Sequence, residues 1–269
     1  MTSVTGVKEM PPPVPGQDPL ISYRGVDKAF GNHVIYKDLS LDVKKGETLC
    51  IIGPSGVGKS VMVKMLIGLL EADAGEIWFD GENVAQLRND EEFLPIRRRV
   101  AMVFQGAALF DSMSVYENIA YPLREQFDLE EDDIAHRVSE KLTWVGLPGI
   151  EHKMPAELSG GMKKRVGLAR SIATDPEVIL YDEPTTGLDP VNCRRIGDLI
   201  LSLRDRLQCT SLVVTHDMMT VNQVSDRVAF IYGRKIRGVG HRDALRKGAD
   251  PIVRGFMEGD PAPFEEEAQ

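Results

Sequence analysis

The sequence predicts an α/β fold, a doubly wound parallel sheet covered by helices, and the prediction rests on three observations. The runs Thr48 to Ile52, Val100 to Phe104, Val178 to Tyr181, Ser211 to Val214 and Val228 to Tyr232 have strand length and are apolar almost throughout. Strands apolar on both faces belong in a parallel sheet buried between helical layers. Helical stretches such as Val61 to Leu70 and Arg194 to Leu207 lie between those runs, the alternation that builds this class. From about Gly106 to Arg170 no strand-like run occurs, which predicts a helical insert.

Taken in chain order, residues 1–19 carry Pro11, Pro12, Pro13 and Pro15 and no apolar core. They read as a disordered leader without an export signal. Arg97, Arg98 and Arg99, just before the second run, read as a solvated face, with a minor role against anionic headgroups or a membrane partner left open. In the insert, Ile134, Val138, Leu142 and Val145 recur at three- and four-residue steps on one helix face. Asp128, Glu130, Glu131, Asp132 and Asp133 precede that face, where a helix N-terminus favours negative charge, so the cluster reads as helix-start chemistry and not as a metal site. Residues 20–258 are expected to form one domain and 259–269 an acidic tail, with Phe256 and Phe264 as the residues that would anchor it.

Composition narrows the function. The chain has 269 residues, 42% hydrophobic and 27% charged, with 32 Lys and Arg against 41 Asp and Glu. A net charge of -9 argues against a nucleic acid partner, which would require a basic surface. The best candidate for a span, Val61 to Leu70, is interrupted by Lys64 and is far below the roughly 18 residues that crossing a bilayer requires. Cys50, Cys193 and Cys209 show no paired spacing, which suits a reducing cytoplasm and suggests neither disulfides nor zinc.

The chemistry concentrates at strand ends. Gly53, Pro54, Ser55, Gly56, Val57, Gly58, Lys59 and Ser60 match G-x-x-x-x-G-K-[ST] between a strand and a helix that continues with Val61. In such a loop glycines turn backbone N–H groups toward phosphates, the lysine reaches the β and γ oxygens, and the serine hydroxyl ligates Mg²⁺. The run ending at Tyr181 continues into Asp182 and Glu183. Asp182 would hold the metal through water. Strand alternation would turn Glu183 to the other side, where it could polarise a water as general base.

Gln105 and His216 each follow a predicted strand, and open parallel sheets bind ligands at the carboxyl ends of their strands. Either residue alone would read as surface; their convergence with the loop carries the weight. Ser159, Gly160 and Gly161 open a helix and form either a second anion site or a plain cap with a hinge. Asp189, in Gly187 to Pro190, reads by itself as a turn before a helix start.

In this order the motifs resemble those of the ATP-binding subunits of ABC transporters over about Leu20 to Arg242. The resemblance implies a P-loop NTPase with a RecA-like core, an antiparallel β subdomain and a helical subdomain carrying the ABC signature, over about 106–170. It implies ATP and Mg²⁺ as cofactors and a head-to-tail homodimer. Each of two ATP molecules would lie between residues 53–60 of one copy and Ser159, Gly160 and Gly161 of the other.

By the same resemblance Lys59 and Ser60 bind phosphate and metal, Asp182 supports the metal, and Gln105 senses the γ-phosphate and metal. Glu183 is the base, His216 contacts the γ-phosphate, and Asp189 lies at the shared site. Phe30 matches the aromatic that stacks on adenine, or else is a buried strand residue. Met162 stands where the family usually has Gln, which removes a polar contact.

Ser159 to Met162, Gly58 to Val61, Leu109 to Asn118 and Asp182 to Pro190 together look like the Mla branch of the family. That resemblance implies phospholipid movement between the inner and outer bacterial membranes. The work would be done from the cytoplasmic face through an MlaE-type permease and an MCE-domain protein, with room for a small regulatory subunit. Phe110, Asp111, Met113 and Tyr116 are the expected permease contacts, or else core of the helical subdomain. Another cargo, or a soluble ABC ATPase without transport, is the alternative.

Overall fold

The computed structural model describes residues 13–267. A sheet of order β10-β9-β3-β8-β7-β6 forms the centre. Its strands are β3 (Thr48–Ile52), β6 (Val100–Val103), β7 (Val178–Asp182), β8 (Thr210–Val214), β9 (Arg227–Tyr232) and β10 (Lys235–Gly240). β6 to β9 and β3 pair in parallel, and β10 closes one edge antiparallel to β9. Side-chain alternation accounts for the continuous apolar runs. Leu49 and Ile51 face one core while Cys50 and Ile52 face the other, and Leu180 and Tyr181 divide in the same way.

One core is closed by a second sheet of order β2-β1-β4-β5, made of β1 (Ile21–Phe30), β2 (His33–Val43), β4 (Ala74–Phe79) and β5 (Glu82–Asn83), and by α1 (Lys59–Leu66) and α2 (Asp90–Arg99). This is the antiparallel subdomain that the resemblance implies. Its strands escape a search for apolar runs because β1 shifts register against β2 between Tyr23 and Val26 and again to Lys28, so no simple alternation survives. α1 stops short of Leu70 at Gly68, which has φ 70° and lies so near Phe93 that a Cβ would sit 2.6 Å from its ring.

The other core holds the helical insert, α3 (Val115–Gln126), α4 (Glu131–Trp144) and α5 (Gly160–Ser171), together with α6 (Pro190–Leu207), α7 (Met218–Val224) and α9 (Pro251–Glu258). Ile134, Val138, Leu142 and Val145 are all buried, as their spacing predicts. Glu130 occupies the N-cap of α4, with Glu131, Asp132 and Asp133 in its first turn, so the acidic run does sit at a helix start. α6 begins at Pro190, before the expected Arg194, because the Asp189 carboxylate accepts the N–H groups of Val191 and Asn192. α8 (Arg242–Arg246) and α10 (Ala262–Glu267) complete the order.

Two expectations are corrected. Arg97 and Arg99 are not a solvated face: Arg97 pairs with Asp90 at 2.7 Å and donates to the Ile67 carbonyl, and Arg99 bridges Asp80 and Glu177 at 2.5 and 2.7 Å. Only Arg98 of the three is exposed. Of the leader, residues 1–12 lie outside the described residues, but 13–19 pack on the antiparallel subdomain. Pro15 lies against Gly81, the Gly16 N–H donates to Asp80 at 2.6 Å, and Asp18 accepts the Lys45 N–H at 2.7 Å.

The tail, as far as described, folds back. Gly259 turns the chain with φ 75°, and Phe264 packs edge-on against Tyr232 and Phe256 at 5.4 and 6.4 Å between centroids. Replacing the half-buried Phe264 by Ala is expected to lower stability by about 2 kcal/mol, below the full-burial figure. Urea denaturation checks this; an unchanged midpoint would mean that the aromatic contact is not formed in solution.

Candidate active site

The loop after β3 is shaped by close backbone approach. A Cβ at Gly53 would stand 2.4 Å from the Ile231 carbonyl oxygen, and one at Gly58, φ 98°, would stand 2.3 Å from Ile35 Cγ2. Only glycine fits either position. The Tyr36 hydroxyl donates to the Gly58 carbonyl from β2, so the antiparallel subdomain braces the loop. No side chain caps the start of α1, which leaves that helix end suited to an anion.

Lys59 Nζ donates to the carbonyls of Gly53 and Pro54, each at 2.9 Å. Burial holds this ammonium below its ordinary pKa, and the charges of Glu183 and Asp182 oppose that shift. The Ser60 hydroxyl donates to an Asp182 carboxylate oxygen. A hydroxyl and a carboxylate in contact, at the mouth of a phosphate loop, suit a small hard cation such as Mg²⁺.

Glu183 leaves the strand. Its N–H donates to Val214 O at 2.9 Å and its φ is 50°, so a left-handed turn, not strand alternation, separates its carboxylate from that of Asp182. Its side chain is 13% exposed and lies 2.9 and 3.0 Å from His216 Nδ1, while the Thr186 hydroxyl donates to it at 3.2 Å. Gln105 is exposed just past the end of β6. Ser55, Gly56, Gly58, Lys59, Ser60, Val61, Gln105, Glu183 and His216 line one cleft of about 410 Å³, with Ile35 and Thr186. The sheet thus gathers the ends of β3, β6, β7 and β8, as the strand-end argument expects.

The other candidates stand apart from this cleft. Gly53 and Pro54 line a neighbouring pocket with Phe256 and Phe264, and Val57 packs beside the antiparallel-subdomain core. Phe30 is 47% exposed at the end of β1, with the Lys28 ammonium 5.1 Å from its ring centroid, so it is not a buried strand residue. Ser159 caps α5 by accepting the Met162 N–H at 3.3 Å, and Ser159 and Gly160 are exposed. Gly161 faces Asn192 of α6, so the signature segment neighbours Asp189. Met162, in place of Gln, packs against the helical core.

Spacing did not single out Thr186 or Lys164. The latter donates from α5 to Pro184 O at 3.0 Å and Thr186 O at 2.7 Å. Thr186 lies within the quoted segment Asp182 to Pro190, but nothing in that segment marks which hydroxyl meets the carboxylate.

Among the expected permease contacts, Phe110 is 42% exposed and stacks edge-on with Tyr121 at 5.2 Å. It borders a groove of about 440 Å³ that also includes Leu69, Arg97, Pro122 and Arg170. Buried Asn118 shapes the approach by bonding the carbonyls of Phe110, Met113 and Ser114 at 3.0 to 3.1 Å. Asp111 is exposed and Met113 half-buried, whereas Tyr116 packs partly on the helical core.

The model of the family "ABC transporter" matches residues 36–186. The chain is 41% identical over 239 residues to the probable ribonucleotide transport ATP-binding protein mkl of Mycobacterium leprae, covering 89% of this chain and 69% of that protein. It is 42% identical over 241 residues to the intermembrane phospholipid transport system ATP-binding protein MlaF of Haemophilus influenzae, covering 90% of this chain and 91% of that protein. The fold matches the dimeric post-hydrolysis structure of the ATP-binding cassette MJ0796 bound to ADP and Pi, with a TM-score of 0.76 and 28% identity over 82% of this chain and 98% of that one. Among the described residues no helix is long and apolar enough to cross a membrane. With most of the loop after β3, Gln105 and the Glu183–His216 contact gathered in one cleft and Ser60 bonded to Asp182 at its edge, these matches show that the chain belongs to the ABC transporter family as an ATP-binding cassette.

Proposed function

We propose that the chain is the ATP-hydrolysing subunit of a transporter that moves phospholipid between membranes, acting as a homodimer on an integral permease at the cytoplasmic face of the inner membrane. The convergence of strand ends on one cleft carries the ATPase part. Lys59 and the start of α1 would bind the phosphates, and Ser60 and Asp182 would hold Mg²⁺, which when bound supplies charge stabilisation to the transferring phosphoryl group. Glu183 would take the proton of the attacking water, with His216 holding its carboxylate in place and reaching the γ-phosphate side of the cleft. Gln105, exposed in the same cleft, would report on the phosphate and metal.

Two features support a shared site. Ser159, Gly160 and Asp189 are exposed and outside the cleft of their own chain, and the cassette MJ0796 is dimeric. An exposed Phe30 suits an adenine ring in the same reading.

Cargo is read from the relatives. MlaF of Haemophilus influenzae matches along nearly its whole length, which favours phospholipid; an MlaE-type permease and an MCE-domain protein are the partners that the sequence resemblance implies. The mycobacterial relative, of which a smaller share is covered, favours ribonucleotide as the second reading. Purification from native membranes separates them: the expected outcome is co-purification of a small permease and an MCE-domain protein. Phe110→Asp is expected to weaken that co-purification at least about tenfold, since a charge would be buried in the groove, while ATP binding stays intact. Recovery of a permease without an MCE-domain protein, with ATPase stimulation by ribonucleotides, would replace phospholipid as cargo.

A further inference from the structure

The chain from Glu183 to Asp189 links the base to the N-cap of α6, and side chains from outside the segment hold its backbone. Lys164 Nζ donates to Pro184 O at 3.0 Å and to Thr186 O at 2.7 Å. Cys193 Sγ lies 3.7 Å from Thr185 O and completes the set of consecutive carbonyls. Thr186 in turn donates through its hydroxyl to Glu183 Oε2 at 3.2 Å. One ammonium is therefore connected, through one residue, to the carboxylate that faces the cleft.

Lys164 stands four residues after Gly160, one helical turn along α5 from the signature segment. A helix moves as a rigid rod, so displacement at Ser159 to Gly161 is carried to the ammonium. Burial lowers the pKa of Lys164, the mark of a charge that is partly removed from water and satisfied by carbonyls instead. An apolar side chain of the same length would fill that space, so packing alone does not require a cation there.

We infer that Lys164 is a positioning residue for hydrolysis: it fixes the Pro184–Thr186 backbone, and through the Thr186 hydroxyl the Glu183 carboxylate, and so ties the base to the helix that would engage the second copy's ATP. The inference rests on the reading of Glu183 as base and of Ser159 to Gly161 as the contact to the partner's nucleotide. Loss of the clamp loosens the carboxylate without touching the phosphate loop, so the effect falls on kcat and spares KM.

Steady-state MgATP hydrolysis by the full-length chain tests it. Lys164→Met is expected to lower kcat by about 10- to 100-fold, as for a misplaced catalytic group, with KM changed by less than about twofold. Lys164→Arg, which still offers several N–H donors, is expected to restore most of kcat. Thr186→Val, which removes only the hydroxyl, is expected to lower kcat severalfold at unchanged KM.

Wild-type kcat in Lys164→Met would overturn the inference, as would a loss that appears in KM alone or that Lys164→Arg does not relieve. If Lys164→Met does not fold, Thr186→Val decides, and unchanged kcat there overturns the relay. Glu183→Gln, assayed alongside, separates the two levels. If that variant is inactive and Lys164→Met is not impaired, only the positioning role fails; if Glu183→Gln turns over normally, the assignment of the base fails.

Discussion

Glu183→Gln is expected to bind MgATP as tightly as the wild type and to lose turnover by about 10²- to 10⁴-fold, the contribution of a positioned general base. The substitution keeps the size of the side chain and retains a hydrogen-bonding group toward His216 Nδ1, now 2.9 Å away. Lys59, Ser60 and Asp182 are untouched, and the hydrogen bonds of Lys59 and Ser60 go to Gly53, Pro54 and Asp182 and not to Glu183. Equilibrium binding of a fluorescent ATP analogue and steady-state phosphate release together measure the two halves of this expectation. Turnover close to wild type would remove Glu183 from the chemistry, and lost binding would make it part of the phosphate cradle instead.

Ser159→Arg is expected to abolish hydrolysis in the homodimer and to be rescued by a second defect in the other copy. Ser159 is an exposed N-cap, so the substitution costs the fold about 1 kcal/mol through the lost Met162 N–H contact. A bulky cation at an anion-binding helix start would nevertheless keep the partner's nucleotide from seating. Lys59→Ala disables the phosphate loop of its own chain by removing the buried ammonium. In a mixed dimer of the two variants, one site combines an intact loop with an intact signature segment, and the other combines both defects. Activity should therefore reappear at about half the wild-type rate, after losses of about 10²-fold or more in either homodimer. Mixed dimers as inactive as the parents would mean that each site is complete within one chain.

The parallel sheet was legible because burial on both faces leaves a simple mark, an unbroken apolar run. Thr48 to Ile52 is predicted and observed with the same bounds, and the other core strands differ by a residue or so at their ends. The antiparallel strands left no such mark. β1, with Arg24, Asp27 and Lys28 among its residues and bulges in its pairing, is recognisable only from its neighbours. The N-terminal segment was misjudged for a related reason. Pro15 and Asp18 lie in a proline-rich stretch, and composition averages over the single contacts that hold them.

Residue type and order determined the chemistry of this protein before any coordinates. A phosphate loop needs glycines and a lysine at fixed spacing because the backbone itself binds the anion, and a strand that ends at Asp182, with Glu183 directly after it, supplies carboxylates wherever the sheet places them. The relation between those groups was decided by tertiary structure. The left-handed turn at Glu183 sets its carboxylate apart from that of Asp182, and its contact with His216 across neighbouring strands and the hold of Lys164 on Pro184 and Thr186 join residues 20 to 33 positions apart. Local periodicity describes a residue's own strand or helix. Contacts of that kind depend on how separate elements pack, and that is set by the cores on the two faces of the sheet.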